Sequence, residues 1–193
     1  MRVTGGEAKG RTLRSTRAPE MRPTTDMARK TIFDILQGVV AERRVLDLFA
    51  GTGALAIEAL SRGARGAVLV DSDRTACAVI ERNLEATGYT GDARVERADV
   101  ERFLSKRADT AFDLVFLDPP YGRGLGFVAR CLEMIADGTW VREGGTVVVE
   151  AEAGQIDWPP GFRETRTRRF GRTQVSMAVW DGKRSGSDLS GHI

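Results

Sequence analysis

The four residues DPPY at 118–121 combine an acid, two prolines and an aromatic ring directly after the apolar run at 112–117. Proline has no backbone N–H, so this segment ends a strand and offers hydrogen-bond acceptors without donors. A carboxylate and a carbonyl placed there are suited to grip both N–H bonds of an amino group, and Tyr121 is suited to stack on a base. Simple strand termination is the alternative, and the other motifs decide between the two.

A second candidate motif, DLFAGTGALAIEAL at 47–60, has the pattern of a strand, a glycine turn and a helix. Gly51 and Gly53 let the backbone approach a ligand closely, just before the N-terminus of the helix. Asp71 ends the next strand 20 residues after Gly51, where an acid is placed to bind ribose hydroxyls. This pattern fits a nicotinamide cofactor as well as any other nucleotide-like ligand.

Asp47 favours one of these ligands. A carboxylate beside the glycine turn repels a pyrophosphate but tolerates S-adenosylmethionine, which carries a sulfonium, an ammonium and a single carboxylate. Asp99 follows the third predicted strand, where its carboxylate is suited either to the exocyclic amine of an adenine or to capping the next helix. The sequence therefore predicts S-adenosylmethionine as the cofactor and S-adenosylhomocysteine as the product.

Strand-like and helix-like segments alternate from Arg44 onward, which predicts a parallel sheet with helices on both faces. The predicted strands are RVLDLF, AVLVD, ARVERAD, FDLVFLD and GTVVVEAE, followed by FRETRTRRF and TQVSMAVWD. The last two have no helix between them and predict an antiparallel hairpin at the sheet edge. The expected fold is α/β and Rossmann-like, with a mostly parallel seven-stranded sheet. Strands one and four are neighbours in such a fold, so the glycine turn and DPPY should face one crevice.

Composition excludes several other chemistries. Hydrophobic residues make up 41% and charged residues 29% of the 193 residues, which is typical of a globular domain. There is neither an apolar run long enough for a membrane span nor a signal peptide, so a cytoplasmic protein without a membrane partner is expected. The single histidine, His192, is next to last, which disfavours triad and HExxH chemistry. Cys77 and Cys131 are interpreted as reduced, buried thiols, and no metal site is expected.

Charge is distributed unevenly along the chain. The formal net charge of +2 divides into +5 over residues 1–30 and −3 over the remainder. Glycines at 5, 6 and 10 and few apolar residues suggest a flexible N-terminal basic arm. A basic arm on a slightly acidic body predicts a polyanion as partner, with a merely solvated terminal segment as the alternative.

Several segments together resemble a known family. The arm VTGGEAKGRTL, the segment RPTTD, DLFAGTGALAIEALSRGA, VLVDSD and DPPY occur in this order. They are similar to the bacterial family that methylates the exocyclic N2 amine of one guanine in 16S ribosomal RNA of the small subunit. The resemblance runs from Arg2 to about Trp180. The glycine motif is common to methyltransferases in general, whereas the arm and RPTTD together are specific.

This resemblance implies a role for each candidate residue. The catalytic group that holds the guanine would be Asp118, Pro119, Pro120 and Tyr121. The cofactor-binding residues would be Asp47, Phe49, Gly51, Thr52 and Gly53 on the methionine side, Asp71 and Ser72 at the ribose, and Ala98 and Asp99 at the adenine. The RNA-binding residues would be Arg2, Lys9, Arg11, Arg14, Arg17, Arg22 and Arg29.

The expected organisation is a basic arm or hairpin at 1–22, a methyltransferase domain at 23–182 and a disordered tail at 183–193. The resemblance points to an assembled or assembling small subunit as the substrate. No exposed heptad or long apolar edge is evident in the sequence, so a monomer is expected.

Three other functions remain open at this point. The chain could methylate another amino group, on adenine N6 or a glutamine side chain, but those enzymes usually carry asparagine in place of Asp118. It could be a non-catalytic RNA-binding module, which the intact DPPY and glycine motifs disfavour. It could be a nicotinamide oxidoreductase, which Asp47 and the terminal hairpin disfavour.

Overall fold

A seven-stranded sheet forms the centre of the protein in the computed structural model, which describes residues 1–15 and 23–183. The strands are β1 (Arg44–Leu48), β2 (Gly66–Asp71), β3 (Ala93–Arg97), β4 (Phe112–Leu117), β5 (Val141–Glu152), β6 (Phe162–Phe170) and β7 (Thr173–Trp180). The helices are α1 (Pro23–Ile35), α2 (Ala54–Ser61), α3 (Arg74–Thr87), α4 (Val100–Leu104) and α5 (Leu125–Asp137).

The strand order is β3-β2-β1-β4-β5-β7-β6, which confirms the predicted α/β, Rossmann-like fold. The first five strands are parallel, and β7 runs antiparallel between β5 and β6. Strand β1 pairs with β2 on one side and with β4 on the other, so the direction of winding reverses at β1. The loops that follow β1 and β4 therefore leave the sheet at the same edge, where ligands bind in such folds.

Apolar clusters lie on both faces of the sheet, as the near-continuous apolar strands require. One cluster joins the sheet to α1, α2 and α3 and includes Phe33, whose ring centroid lies 5.9 Å from that of Phe116. The other joins the sheet to α4 and α5 and includes Leu132. Cys77 and Cys131 are free and buried, as predicted. Within residues 1–15 and 23–183, no helix is long and apolar enough to cross a membrane.

The N-terminal segment packs against the first of these clusters. Residues 1–15 form a small hairpin in which Arg2 bridges Thr12 in antiparallel fashion. Its three buried apolar side chains are Val3, Ala8 and Leu13. The expectation of a flexible arm is therefore wrong for residues 1–15, because the apolar side chains are few but spaced so that all three reach the core.

Polar contacts with α2 and α3 fix the same hairpin. Thr4 donates from its backbone N–H at 2.8 Å and from its hydroxyl at 2.7 Å to the buried carboxylate of Glu58. The Ala8 N–H donates to Ser61 Oγ at 2.9 Å, and the Arg14 N–H donates to Asn83 Oδ1 at 2.7 Å. Hydrogen bonds to a charged acceptor are stronger than neutral ones, so Glu58 is an effective anchor.

Arg29 does not belong to an RNA-binding surface in this structure. Its side chain is only 4% exposed. Its guanidinium donates to the Arg2 carbonyl at 2.8 Å and lies 3.9 Å from a Glu58 oxygen. The prediction of an RNA contact at Arg29 is therefore wrong, and the residue instead joins α1 to the hairpin. Arg17, Arg22 and most of the predicted tail lie outside the described residues.

We predict that Leu13→Ala lowers the free energy of unfolding by about 2–5 kcal/mol, because it leaves a cavity beneath the hairpin. Equilibrium urea denaturation measures this loss. The matched control is Arg14→Ala, whose exposed side chain should contribute within about 0.5 kcal/mol. Equal stability of the Leu13 variant and the wild type would show that the hairpin is not packed in solution.

Candidate active site

The glycine turn after β1 forms an open backbone cradle. Gly51 and Gly53 have φ angles of 57° and 75°, in the left-handed region that favours glycine. A Cβ on Gly53 would lie 3.0 Å from Leu69 Cδ2, so this position also requires close packing. A Cβ on Gly51 would find its nearest neighbour, the Phe49 carbonyl oxygen, only at 3.9 Å. The space above Gly51 is therefore open to a ligand.

Asp71 connects the loops that follow three strands. Its Oδ2 accepts the Gly51 N–H at 2.8 Å, and its Oδ1 accepts the Asp73 N–H at 2.9 Å. Its carbonyl accepts the Ala98 N–H at 3.0 Å. A carboxylate has about four acceptor positions, so the half-buried side chain can still accept further hydrogen bonds. It suits a ligand with two adjacent hydroxyls, such as a ribose.

Asp47 lies beneath the glycine turn and has almost no exposed surface. It is 1% exposed, and its Oδ2 accepts the Ala56 N–H at 3.1 Å at the start of α2. Burial raises the pKa of this carboxyl to about 7, against the lowering effect of the Ala56 hydrogen bond. Near neutral pH it is therefore only partly ionised, so the ligand preference expected from its charge is weakened. Its role is to support the turn, since it offers no surface for contact with a cofactor.

The other predicted cofactor residues occupy the same edge of the sheet. Phe49 has a positive φ of 62°, and its ring packs 5.8 Å from that of Phe127. Thr52 is half-buried, and Ser72 is exposed. Asp99 Oδ1 accepts the Arg102 N–H at 3.0 Å and caps α4, which confirms the capping alternative while leaving the residue exposed.

The DPPY segment begins directly beside the glycine turn. The Asp118 N–H donates to the Leu48 carbonyl at 3.4 Å, at the last residue of β1. Residues 118–121 then line a small pocket that also reaches Glu150 and Glu152 at the end of β5. Tyr121 is 51% exposed, and its hydroxyl lies 2.6 Å from Thr173 Oγ1. The predicted neighbourhood of the two motifs is confirmed.

Two supporting residues were missed by sequence reasoning. Thr173 holds the Tyr121 hydroxyl from a position 52 residues away in the chain, so no local pattern indicates it. Asn83 is fully buried in α3, and its Nδ2 donates to the Thr52 carbonyl at 2.9 Å and to the Arg14 carbonyl at 3.1 Å. An asparagine on the apolar stripe of α3 was a usable signal, because buried amides need partners.

Metal-ligating side chains do not gather at this site. In the described part of the chain, no group of three or more His, Cys, Asp or Glu side chains is arranged to hold a metal ion. The candidate site thus consists of a backbone cradle, carboxyl groups, a proline pair and an exposed aromatic ring.

Comparisons with known proteins give consistent relatives. The family described as "Conserved hypothetical protein 95" matches residues 1–179. Ribosomal RNA small subunit methyltransferase D of Escherichia coli (strain K12) is 40% identical over 152 residues, covering 79% of this chain and 75% of the relative. The putative rRNA methyltransferase YlbH of Bacillus subtilis (strain 168) is 36% identical over 182 residues, covering 92% and 97%. The solved structure of the putative methyltransferase yhhF from Escherichia coli has a TM-score of 0.85 at 34% identity and covers 95% of this chain and 99% of that one.

We predict that Asp71→Ala weakens S-adenosylhomocysteine binding by about 1–3 kcal/mol, because it removes acceptors at the ribose position and frees the Gly51 N–H. Isothermal titration calorimetry measures the change. Asp73→Ala is the matched control, since it removes an exposed carboxylate two residues away whose hydrogen bond caps α3. The role of Asp71 is refuted if its variant binds as tightly as the wild type.

We also predict that Asp47→Asn reduces the pH dependence of stability. The pKa of Asp47 rises from 3.8 to about 7 on folding, so the folded protein binds more protons than the unfolded chain between these values. Its contribution to stability is complete below about pH 4 and is lost as the pH rises through about 7. Urea denaturation at several pH values should show a shallower decline for the variant. An unchanged profile would indicate that Asp47 ionises normally in the folded protein.

Proposed function

This chain belongs to the family described as "Conserved hypothetical protein 95", and we propose that it is an S-adenosylmethionine-dependent methyltransferase that methylates the exocyclic N2 amine of a guanine in 16S ribosomal RNA. The observation that carries this proposal is the hydrogen bond from Asp118 to Leu48, which joins the DPPY segment to the base of the glycine cradle. The name of the Escherichia coli relative supports a small-subunit ribosomal RNA as the substrate class.

The glycine cradle and its neighbours fit the cofactor. The open space above Gly51 would take the methionine part, while Gly53 allows the turn to pack closely against Leu69. The remaining acceptor positions of Asp71 suit the ribose hydroxyls, and Ala98 and Asp99 would contact the adenine. When bound, S-adenosylmethionine supplies an electrophilic methyl group. No metal is required, because the target amine needs hydrogen-bond acceptors rather than a Lewis acid.

The DPPY segment suits an amino group on a base. Such an amine is a weak nucleophile because its lone pair is delocalised into the ring. The Asp118 carboxylate and the Pro119 carbonyl can accept hydrogen bonds from its two N–H groups. This favours a pyramidal nitrogen with a localised lone pair. The nitrogen becomes cationic as it is methylated, and Asp118 stabilises that charge and then accepts the proton. Pro120 adds no competing donor.

Tyr121 provides the stacking surface for the extruded guanine. The residue is 51% exposed, and its hydroxyl lies 2.6 Å from Thr173 Oγ1, which holds the ring in position. Stacking of a base on an aromatic ring contributes about 1–3 kcal/mol. A base inside a duplex is inaccessible to such a site, so the target must lie in a loop or be turned out of its stack.

Exposed cations on the N-terminal hairpin would bind the RNA backbone. Arg2, Lys9, Arg11 and Arg14 are exposed, whereas the hairpin beneath them is packed. Arg11 also donates to the Ala86 carbonyl at 2.9 Å, which holds its side chain along α3. Rigidly presented cations lose little freedom on binding, so they suit contacts with structured RNA. The resemblance also assigns RNA contacts to Arg17 and Arg22, which lie outside the described residues.

An assembled or assembling small subunit is the proposed form of the substrate, with the enzyme acting in the cytoplasm as a monomer.

Incubation with labelled S-adenosylmethionine tests the proposal when small subunits lacking the modification, protein-free 16S ribosomal RNA and duplex DNA are compared. We expect label in one guanine of the small-subunit RNA and none in DNA. Labelling of DNA or of protein alone would refute the proposed substrate.

Asp118→Ala should lower kcat by roughly 10²–10⁴-fold while leaving cofactor affinity unchanged, because the residue acts on the target amine. Single-turnover methyl transfer measures the rate, and calorimetry measures cofactor binding. Asp109→Ala is the control, since Asp109 is exposed and precedes β4. Wild-type turnover by the Asp118 variant would contradict the amine-clamp mechanism.

Tyr121→Ala should weaken the reaction through lost stacking, at a cost of about 1–3 kcal/mol in kcat/KM. Tyr121→Phe retains the ring and loses only the contact with Thr173, so it should retain most of the activity. If both variants lose activity equally, the hydroxyl rather than the ring is the important group, and the stacking role is wrong.

A further inference from the structure

An open depression of about 1010 Å³ lies beside the DPPY segment, toward the closing hairpin of β6 and β7. Tyr121 lines it from the DPPY side, Glu152 lines it at the end of β5, and Phe170 and Arg172 line it from the hairpin. Thr173 stands between the two rings, since it contacts the Tyr121 hydroxyl and is the cross-strand partner of Phe170. The depression therefore continues directly from the ring on which the target base would stack.

One face of β6 leads away from this depression and carries positive charge. Alternate residues of a strand share a face, so Arg166, Arg168 and Phe170 point to the same side of the sheet. The pairing of these three residues with β7 is regular, because the irregularity in β6 lies before Arg166. Arg169 points to the opposite face. We call the surface formed by Arg166, Arg168, Phe170 and Arg172 the hairpin face.

The cations of the hairpin face are available for a partner. Arg166, Arg168 and Arg172 are exposed, and in the described part of the chain none of them pairs with a carboxylate. Arg163 differs from them, because Asp181 binds it through two hydrogen bonds of 2.9 and 3.1 Å. Phe170 is only half-buried. An aromatic ring flanked by free guanidinium groups has the composition of a site for single-stranded nucleic acid.

We propose that the hairpin face binds the RNA strand next to the target guanine, with a flanking base stacked on Phe170 and its phosphates on Arg166, Arg168 and Arg172. This inference rests on the proposed RNA methyltransferase function. A nucleotide turned out of its stack is held in place when the neighbouring nucleotides are also bound. Phosphate contacts then fix the position of the strand relative to Asp118 and Tyr121.

Charged side chains on an edge strand also prevent pairing with other chains, and β6 is paired only with β7 in the described part of the chain. That protective role does not depend on which face a charge occupies. Binding of RNA does depend on it, because only one face of β6 continues into the depression. Arg168 and Arg169 are neighbours of equal charge on opposite faces, so they separate the two explanations.

Steady-state methylation of small subunits lacking the modification tests the stacking role. Phe170→Ala should raise the KM for small subunits at least about fivefold. This factor corresponds to the lower limit of the free energy of base–aromatic stacking, about 1 kcal/mol, because each 1.4 kcal/mol changes an affinity tenfold. Phe170→Tyr should restore a nearly wild-type KM. Calorimetry should show unchanged binding of S-adenosylhomocysteine by both variants. An unchanged KM in Phe170→Ala would overturn the proposal, as would an equal increase in Phe170→Tyr.

Variants of Arg168 and Arg169 test the phosphate contacts. The affinity for small subunits is measured, so the result does not depend on any folding defect caused by substitution of Phe170. Arg168→Ala should weaken small-subunit binding and reduce the slope of log K against log salt by about 0.7, the value for one contact to a single strand. Arg169→Ala should leave both unchanged. Equal effects of the two variants, or none from Arg168→Ala, would refute the hairpin face. If wild-type protein methylates no small-subunit RNA, the proposed function fails instead.

Discussion

The position of β1 between β2 and β4 is the constraint on which the rest of the site depends. Both neighbours run parallel to β1, so three loops leave the sheet at one edge. Backbone hydrogen bonds connect these loops. The Ala50 N–H donates to the Val70 carbonyl at 3.0 Å, and the Asp118 N–H donates to the Leu48 carbonyl at 3.4 Å. The glycine turn proposed to hold the cofactor and the DPPY segment proposed to accept the amine are thereby side by side, without any local sequence relationship between them.

The glycine turn after β1 also depends on contacts with distant parts of the chain. Asp71 supports Gly51 from the end of β2, and Asp47 supports the start of α2 from below. Asn83 joins the Thr52 carbonyl to the N-terminal hairpin through Arg14. The N-terminal hairpin is thus joined through Asn83 to the glycine turn of the proposed cofactor site, and it also carries exposed cations.

Much of this architecture follows from local patterns. Alternating strands and helices predicted the sheet, and the glycine turn and DPPY were correctly expected at the same edge of it, because period and turn chemistry are local properties. The packing of residues 1–15 was not predicted, since it depends on Glu58, which lies 54 residues from Thr4. The burial of Arg29 and the raised pKa of Asp47 were missed for the same reason: a sequence shows a charged residue but not the environment that sets its exposure or its pKa.

Analysis of modified nucleosides in 16S ribosomal RNA tests the central claim most directly. The RNA would be isolated from a strain that lacks this protein and from the same strain complemented with the wild-type chain or with Asp118→Ala. We expect one N2-methylguanine to be missing without the protein, restored by the wild-type chain and not restored by the variant. A complete set of N2-methylguanines in the strain lacking the protein, or restoration by Asp118→Ala, would contradict the account.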